Sequence, residues 1–153
     1  MNLDLLDKRI LALLQTNARA SLNTIGDEVG LSASACSRRL AQLEASGAIV
    51  QYRAELAAEL FGLSSVAIVQ VTLSSQSESA LKAFERAIAE CRQVVTCDLM
   101  SGGVDYLVRI LVADLNDYER LHREVLSALP GVARIQSNFV LRGIIDRQQA
   151  GLL

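Results

Sequence analysis

The sequence predicts an α+β chain: three short helices first, then a four-stranded sheet carrying two further helices. Three observations predict it. Apolar residues recur at helical spacing through roughly the first third of the chain. Two of those helical stretches are joined only by Gly30, Leu31 and Ser32. After residue 64 the pattern changes to β-branched apolar runs separated by two helical stripes, in the order β-α-β-β-α-β.

The first helix follows from Leu3, Leu6, Ile10, Leu13 and Leu14, which share one helical face. Asp4 is of capping type, Asp7 adds negative charge to the first turn, and Asn17 ends the pattern. A second helix starts after Ser21, carries Leu22, Ile25 and Val29, and stops at Gly30, where a left-handed cap costs nothing. Ser32 caps a third helix with its apolar stripe at Cys36, Leu40 and Leu43, and Gly47 stops it. A short helix, a glycine turn and a second helix make a helix-turn-helix.

Residues 49–56 read as a short extended connection, and AAELFGLS (57–64), with Gly62, as a linker. SVAIVQVTL (65–73) reads as the first strand. Leu81, Phe84, Ile88 and Cys91 form a helical stripe. VVTCDLM (94–100) and YLVRILV (106–112) read as strands flanking the tight loop SGGVD (101–105). Leu115, Tyr118, Leu121, Val125 and Leu129 form the last helical stripe, Pro130-Gly131 breaks it, and Val132 to Leu141 closes the sheet. The arrangement is ferredoxin-like. The predicted division is 1–48 for the helix-turn-helix domain, 49–64 for a hinge strand and linker, and 65–153 for the sheet domain.

Hydrophobic residues make up 51% of the 153-residue chain and charged residues 21%, enough for packed cores and too apolar for disorder. The formal net charge of −2 excludes a uniformly basic nucleic-acid binder but leaves room for a local basic patch. No apolar run reaches membrane-spanning length, and MNLDLLDKR lacks the pattern of a signal peptide, so a cytoplasmic protein is expected. Cys36, Cys91 and Cys97 have no metal-ligand spacing and read as buried reduced thiols; no metal site and no catalytic group is expected. His122, with acidic neighbours, reads as a surface histidine.

The third helix raises the functional question. If Cys36, Leu40 and Leu43 face the core, Ser34, Ala35, Ser37, Arg38, Ala41 and Gln42 face outward or sit at the margin, with Arg39 adjoining. Small residues permit close approach to a major groove, hydroxyls and Gln42 hydrogen-bond, and arginine reaches phosphates or guanine edges. The candidate DNA-contacting residues are Ser32, Ser34, Ala35, Ser37, Arg38, Arg39 and Gln42. A solvated helix face with two incidental arginines is the alternative from this stretch alone.

Both faces of the sheet strands read as largely apolar, for instance Val66 and Ile68 against Val69, Val71 and Leu73. Two helices cover only one face of such a sheet, which predicts an obligate homodimer through the other. A twofold dimer also delivers two recognition helices to a pseudo-palindromic site.

Together these segments resemble the Lrp/AsnC family of transcription regulators. The resemblance rests on Leu3-Asp4 with Asp7 and Ile10-Leu11, on Arg19, on GLSASACSRRLAQLEASGAI (30–49), on LMSGGVDYLVRI (99–110) and on LPGVARIQSNFVL (129–141). It implies an N-terminal domain that binds double-stranded DNA and a ferredoxin-like (RAM-type) domain that dimerises through its sheet. It further implies octamers or other assemblies of dimers, a nucleoid-associated location, and a small effector, typically an amino acid, bound between dimers near the loop after the second strand. No other cofactor is implied.

In that loop, Gly102 and Gly103 let backbone N–H groups approach a carboxylate. Asp105 is placed to receive the effector's ammonium, Ser101 and Ser137 to supply hydroxyls, and Met100 and Val104 to offer apolar contact. A plain strand-to-strand turn with Asp105 capping its own backbone is the competing reading.

Two departures from the family pattern matter. Ala41 and Gln42 stand where basic residues are frequent, and residues 1–60 hold six basic against seven acidic side chains. Gly103 stands where a larger or polar residue is frequent, so effector identity does not carry over. An amino-acid sensor that acts through a protein partner, with a weakened DNA-binding domain, is the alternative function. Catalysis has no nucleophile motif or carboxylate pair to support it.

Overall fold

The computed structural model describes residues 2–145. The tail DRQQAGLL (146–153), which the sequence reading assigned to the second domain, lies outside them. The described chain falls into two compact units, one ending at Glu55 and the other beginning at Leu56.

The N-terminal unit contains α1 (Leu5–Thr16), α2 (Leu22–Val29) and α3 (Ala33–Ala45). Each start is set by a side chain that satisfies an orphan backbone N–H. Asp4 accepts from the Asp7 N–H at 2.8 Å, Ser21 from Thr24 at 3.1 Å and Ser32 from Ala35 at 3.3 Å. Asp7 reaches back to the Asp4 N–H at 3.1 Å, which closes a capping box. Ile10, Ile25, Val29, Cys36 and Leu43 form the buried core, with Leu3, Leu6, Leu13, Leu14 and Leu31 packed around it.

Gly26 sets how closely α2 and α3 can join. Its carbonyl accepts from both the Gly30 and Leu31 N–H groups, at 2.8 and 2.9 Å. A Cβ at this position would lie 2.4 Å from the Leu31 carbonyl oxygen, so only glycine permits the turn in this form.

The extended segment after α3, expected as a hinge strand, is not a strand among the described residues. A strand needs a ladder, and residues 50–57 form none among the described residues; a short 3₁₀ turn, Ala58–Phe61, follows.

The C-terminal unit is β1 (Ser65–Leu73), α4 (Glu78–Ala89), β2 (Val94–Leu99), β3 (Tyr106–Val112), α5 (Leu115–Glu124) and β4 (Val132–Phe139). The sheet order is β2-β3-β1-β4, antiparallel at every pairing. Strand β4 ends at Phe139, two residues before the expected Leu141. The last helical stripe breaks at Val125, and Leu126–Ala128 turn as 3₁₀. Leu115 is exposed and does not belong to the buried stripe.

One sheet face packs on the helices. Ala67, Val69, Val71 and Leu73 from β1 and Tyr106, Val108, Ile110 and Val112 from β3 alternate onto it. They meet Phe84 and Ile88 of α4 and Tyr118 and Leu121 of α5. The Phe84 and Tyr106 rings sit 4.5 Å apart. Truncating a fully buried phenylalanine such as Phe84 costs about 3–5 kcal/mol.

The opposite face corrects one expectation. It is apolar only along part of the two central strands, at Val66, Ile68, Leu107 and Leu111. Arg109 stands among them, opposite Ile68. The register places Thr96 and Asp98 of β2 and Arg134, Gln136 and Asn138 of β4 on the same face. The outer strands are thus polar outward, because their alternation turns Thr, Asp, Arg, Gln and Asn to this face.

Candidate DNA interface and effector loop

Helix α3 carries its functional side chains by simple periodicity. Ser34, Arg38 and Gln42 are four residues apart and form one exposed line, flanked by Ser37 and Ala41. Ser32, Ser34, Ser37, Arg38 and Gln42 are exposed and Ala35 is half-buried. Ser32 divides its hydroxyl between the Ala35 N–H and the Ser34 hydroxyl, the latter at 3.1 Å, so its first task is capping.

The two adjacent arginines separate. Arg38 makes no ion pair or hydrogen bond among the described residues and points to solvent. Arg39 follows Ala35 and precedes Leu43 on the flank of the buried stripe, and its side chain turns toward α1. Its Nη1 donates to Asp4 Oδ2 at 2.8 Å and to Asp7 Oδ1 at 2.7 Å. The Asp7 N–H and the Arg39 guanidinium together hold the Asp4 carboxyl below the usual carboxylate range. Arg39 thus stands apart from the outward line of α3, its charge already matched inside its own unit. Beyond the cap at Asp4 and the first-turn charge at Asp7, both carboxylates have a second role that depends on a residue more than thirty positions away.

The loop between β2 and β3 is closed by the Met100 N–H donating to the Asp105 carbonyl at 2.8 Å. Met100, Ser101, Gly102 and Gly103 are exposed and Val104 is half-buried. Gly102 adopts φ 155°, a conformation that side chains disfavour.

Asp105 points the other way. It is buried, with Oδ2 accepting from the Leu73 N–H at 2.6 Å and Oδ1 from Gln76 Nε2 at 2.7 Å. Its own N–H donates to the Val71 carbonyl at 3.0 Å. Both carboxylate oxygens are spent on tying the loop to the end of β1 and to the β1–α4 connection. Asp105 thus anchors the loop, and it caps the backbone of β1 rather than its own turn. Gln76, its partner, carried no sequence signal.

Ser137 stands apart from the loop. It lies on the helix-facing side of β4, paired with Val69, and its hydroxyl bonds to that of Tyr118. One strand, β1, lies between β4 and β3, which puts them about 10 Å apart at the usual strand spacing. Met100, Ser101, Gly102, Gly103 and Val104 remain together as the exposed loop.

Three cysteines are free, Cys36 and Cys91 buried and Cys97 half-buried. Burial, with the Asp98 and Glu85 carboxylates, pushes the Cys97 thiol up to about 11. Burial and then the Glu85 carboxylate, 2.9 Å away, raise the Tyr106 phenol as well. No helix among the described residues is long and apolar enough to cross a membrane, and these residues hold no cluster of His, Cys, Asp and Glu suited to a metal ion.

Comparison with known proteins agrees with the two-unit description. Residues 3–44 match the AsnC-type helix-turn-helix domain and residues 66–150 the Lrp/AsnC ligand binding domain. A proline dehydrogenase transcriptional activator of Rhodobacter capsulatus is 34% identical over 150 residues, covering 98% of this chain and 97% of its own. The Bkd operon transcriptional regulator of Pseudomonas aeruginosa is 35% identical over 145 residues, covering 95% of each. Among solved structures, a transcriptional regulator of Neisseria meningitidis in complex with L-Met superposes with a TM-score of 0.93 at 32% identity, over 99% of this chain and 97% of that one. The helix-turn-helix, the four-stranded sheet and these relatives together place the chain in the Lrp/AsnC family of transcriptional regulators.

Proposed function

We propose that this regulator reads DNA with the Ser34–Arg38–Gln42 line of α3 and responds to an amino acid held at the Met100–Val104 loop. The observation that carries the DNA assignment is that unbroken exposed line on the second helix of a helix-turn-helix, free of apolar bulk. Ser37 and Ser32 flank it, and Ala35 permits close approach. Arg38 is the cation of α3 available to a phosphate or a guanine edge.

The effector assignment is supported by chemistry and by a relative. The exposed Gly102 and Gly103 backbone suits a carboxylate, and Met100 and Val104 suit an apolar side chain. The similar Neisseria meningitidis regulator is a complex with L-Met. With Asp105 turned inward, the ammonium acceptor must come from elsewhere, and a second copy of the chain is the natural supplier.

Assembly is proposed through the outer sheet face, where Val66, Ile68, Leu107 and Leu111 offer an apolar centre and Arg109 a charge to be matched. A twofold dimer presents two α3 helices to successive major grooves, and octamers or other assemblies of dimers extend the contact. Such a regulator works in the cytoplasm, on the nucleoid.

The test is a titration of the full chain on its own upstream region against shuffled DNA at fixed salt, with and without a pool of amino acids. Preferential binding that shifts with one amino acid supports both assignments. Preference without a shift removes the effector assignment. One observation favours the second reading, a sensor acting through a protein partner: with Arg39 engaged internally, α3 has one outward cation. Arg38→Glu discriminates, because regulation that survives it refutes the DNA reading.

A further inference from the structure

We propose that Arg39 is the positioning residue of the DNA interface: clamped by Asp4 and Asp7, it sets the rotation of α3 about its axis and so the direction of Arg38. The proposal rests on the assignment of α3 to DNA.

The clamp uses every carboxylate oxygen available to it. Asp4 Oδ1 accepts from the Asp7 N–H, and Asp7 Oδ2 from the Asp4 N–H. These two bonds fix both carboxylates on the first turn of α1. The remaining oxygens, Asp4 Oδ2 and Asp7 Oδ1, are both aimed at one nitrogen of Arg39. The acceptor is therefore built before Arg39 arrives, and little side-chain freedom is lost when it does.

Apolar packing alone leaves this orientation underdetermined. Cys36 and Leu43 hold α3 against the core, but hydrophobic contact is non-directional and permits a helix to roll. Arg39 sits at the middle of the 13-residue helix. Successive residues are about 100° apart around a helix axis, so tying down Arg39 aims Arg38. The site is partly shielded, with side-chain exposures of 26% for Arg39, 12% for Asp7 and 51% for Asp4, whereas the Lys82–Glu78 pair on α4 stands at 63% and 81%. Solvent and salt weaken the exposed pair far more. A phosphate brought to Arg39 would meet two carboxylates for one guanidinium, which opposes a direct contact.

The decisive variant is Asp4→Asn with Asp7→Asn, measured in the full chain across a salt series on the preferred site and on shuffled DNA. If Arg39 touched DNA, removing two nearby negative charges would tighten binding to both DNAs. As a clamp, its release weakens binding to the preferred site by about tenfold, since only the fraction of chains with α3 correctly turned then binds. Arg39→Gln gives the same loss, with the slope of log affinity against log salt unchanged. Arg38→Gln, by contrast, lowers that slope by about 0.9, the signature of one lost phosphate contact. Asp4→Asn alone guards against misfolding, because asparagine caps a helix as well as aspartate; its helix content by circular dichroism should match the wild type, with a smaller loss of affinity.

Tighter or unchanged binding by the double variant, or a reduced salt slope in Arg39→Gln, overturns the proposal. A wild-type chain with no preference for any site overturns the interface itself, and the proposal with it.

Discussion

Gly26→Ala is the sharpest test of the helix-turn-helix geometry, because two physical effects oppose each other there. In an ordinary helix the change stabilises by about 1 kcal/mol, since glycine loses more backbone entropy on folding. Here the new Cβ meets the Leu31 carbonyl oxygen at 2.4 Å, whereas ordinary contact begins at 3.4 Å. The obstacle is backbone, so it cannot rotate away, and the turn must open by about an ångström. Overpacking of this kind costs about 1–3 kcal/mol. The opening also lengthens the two bonds that the Gly26 carbonyl accepts from Gly30 and Leu31, each contributing about 1 kcal/mol. The balance is a loss of about 2 kcal/mol, which in a unit of this size lowers the melting temperature by about 10 °C. Thermal melting of the full chain by circular dichroism measures this, and hydrogen exchange at the Gly30 and Leu31 amides localises it. DNA preference should fall with it, because α3 is displaced relative to α2. An alanine variant that melts at or above the wild type with undiminished protection refutes the reasoning.

Three further outcomes follow from the same geometry. Asp105→Ala leaves the buried Leu73 N–H without its acceptor and should destabilise by about 2–3 kcal/mol, read as a lower urea midpoint; stability equal to wild type would mean the loop needs no anchor. The Asp4 carboxyl is held below its usual range first by the Asp7 N–H and then by Arg39, so its contribution is present above the unfolded carboxylate value and is lost as pH falls through the lowered folded one. Acid unfolding should accordingly be less steep in Asp4→Asn, and an identical acid profile would sink that account. The Cys97 thiol, pushed up to about 11, should resist alkylation at pH 8 and gain reactivity only as pH approaches that value; rapid labelling of the native chain at neutral pH would contradict it.

Local periodicity and local chemistry made part of this protein legible from its residues alone. The caps Asp4, Ser21 and Ser32 act within three residues of their targets, so residue type and position sufficed to find them. Strands β1 and β3 have the bounds that their β-branched runs indicated. The order of elements was legible for the same reason, and the family through the resemblance of segments such as 30–49 and 99–110.

The tertiary structure decided where the charged and polar side chains go. Arg38 and Arg39 are indistinguishable neighbours in a string of letters; only the folding of α1 against α3 brings Asp4 and Asp7, 35 and 32 positions away, to one of them and not the other. Asp105 turns inward because Gln76, 29 positions earlier, and the end of β1 lie beneath it. Ser137 faces the helices because the β4 register puts it opposite Val69, beneath the Tyr118 hydroxyl. The polar outer face of β2 and β4 emerges only once a register assigns each residue a side. A periodic pattern carries information over one turn or one strand pair, whereas the partner of a buried charge is chosen by which elements pack together.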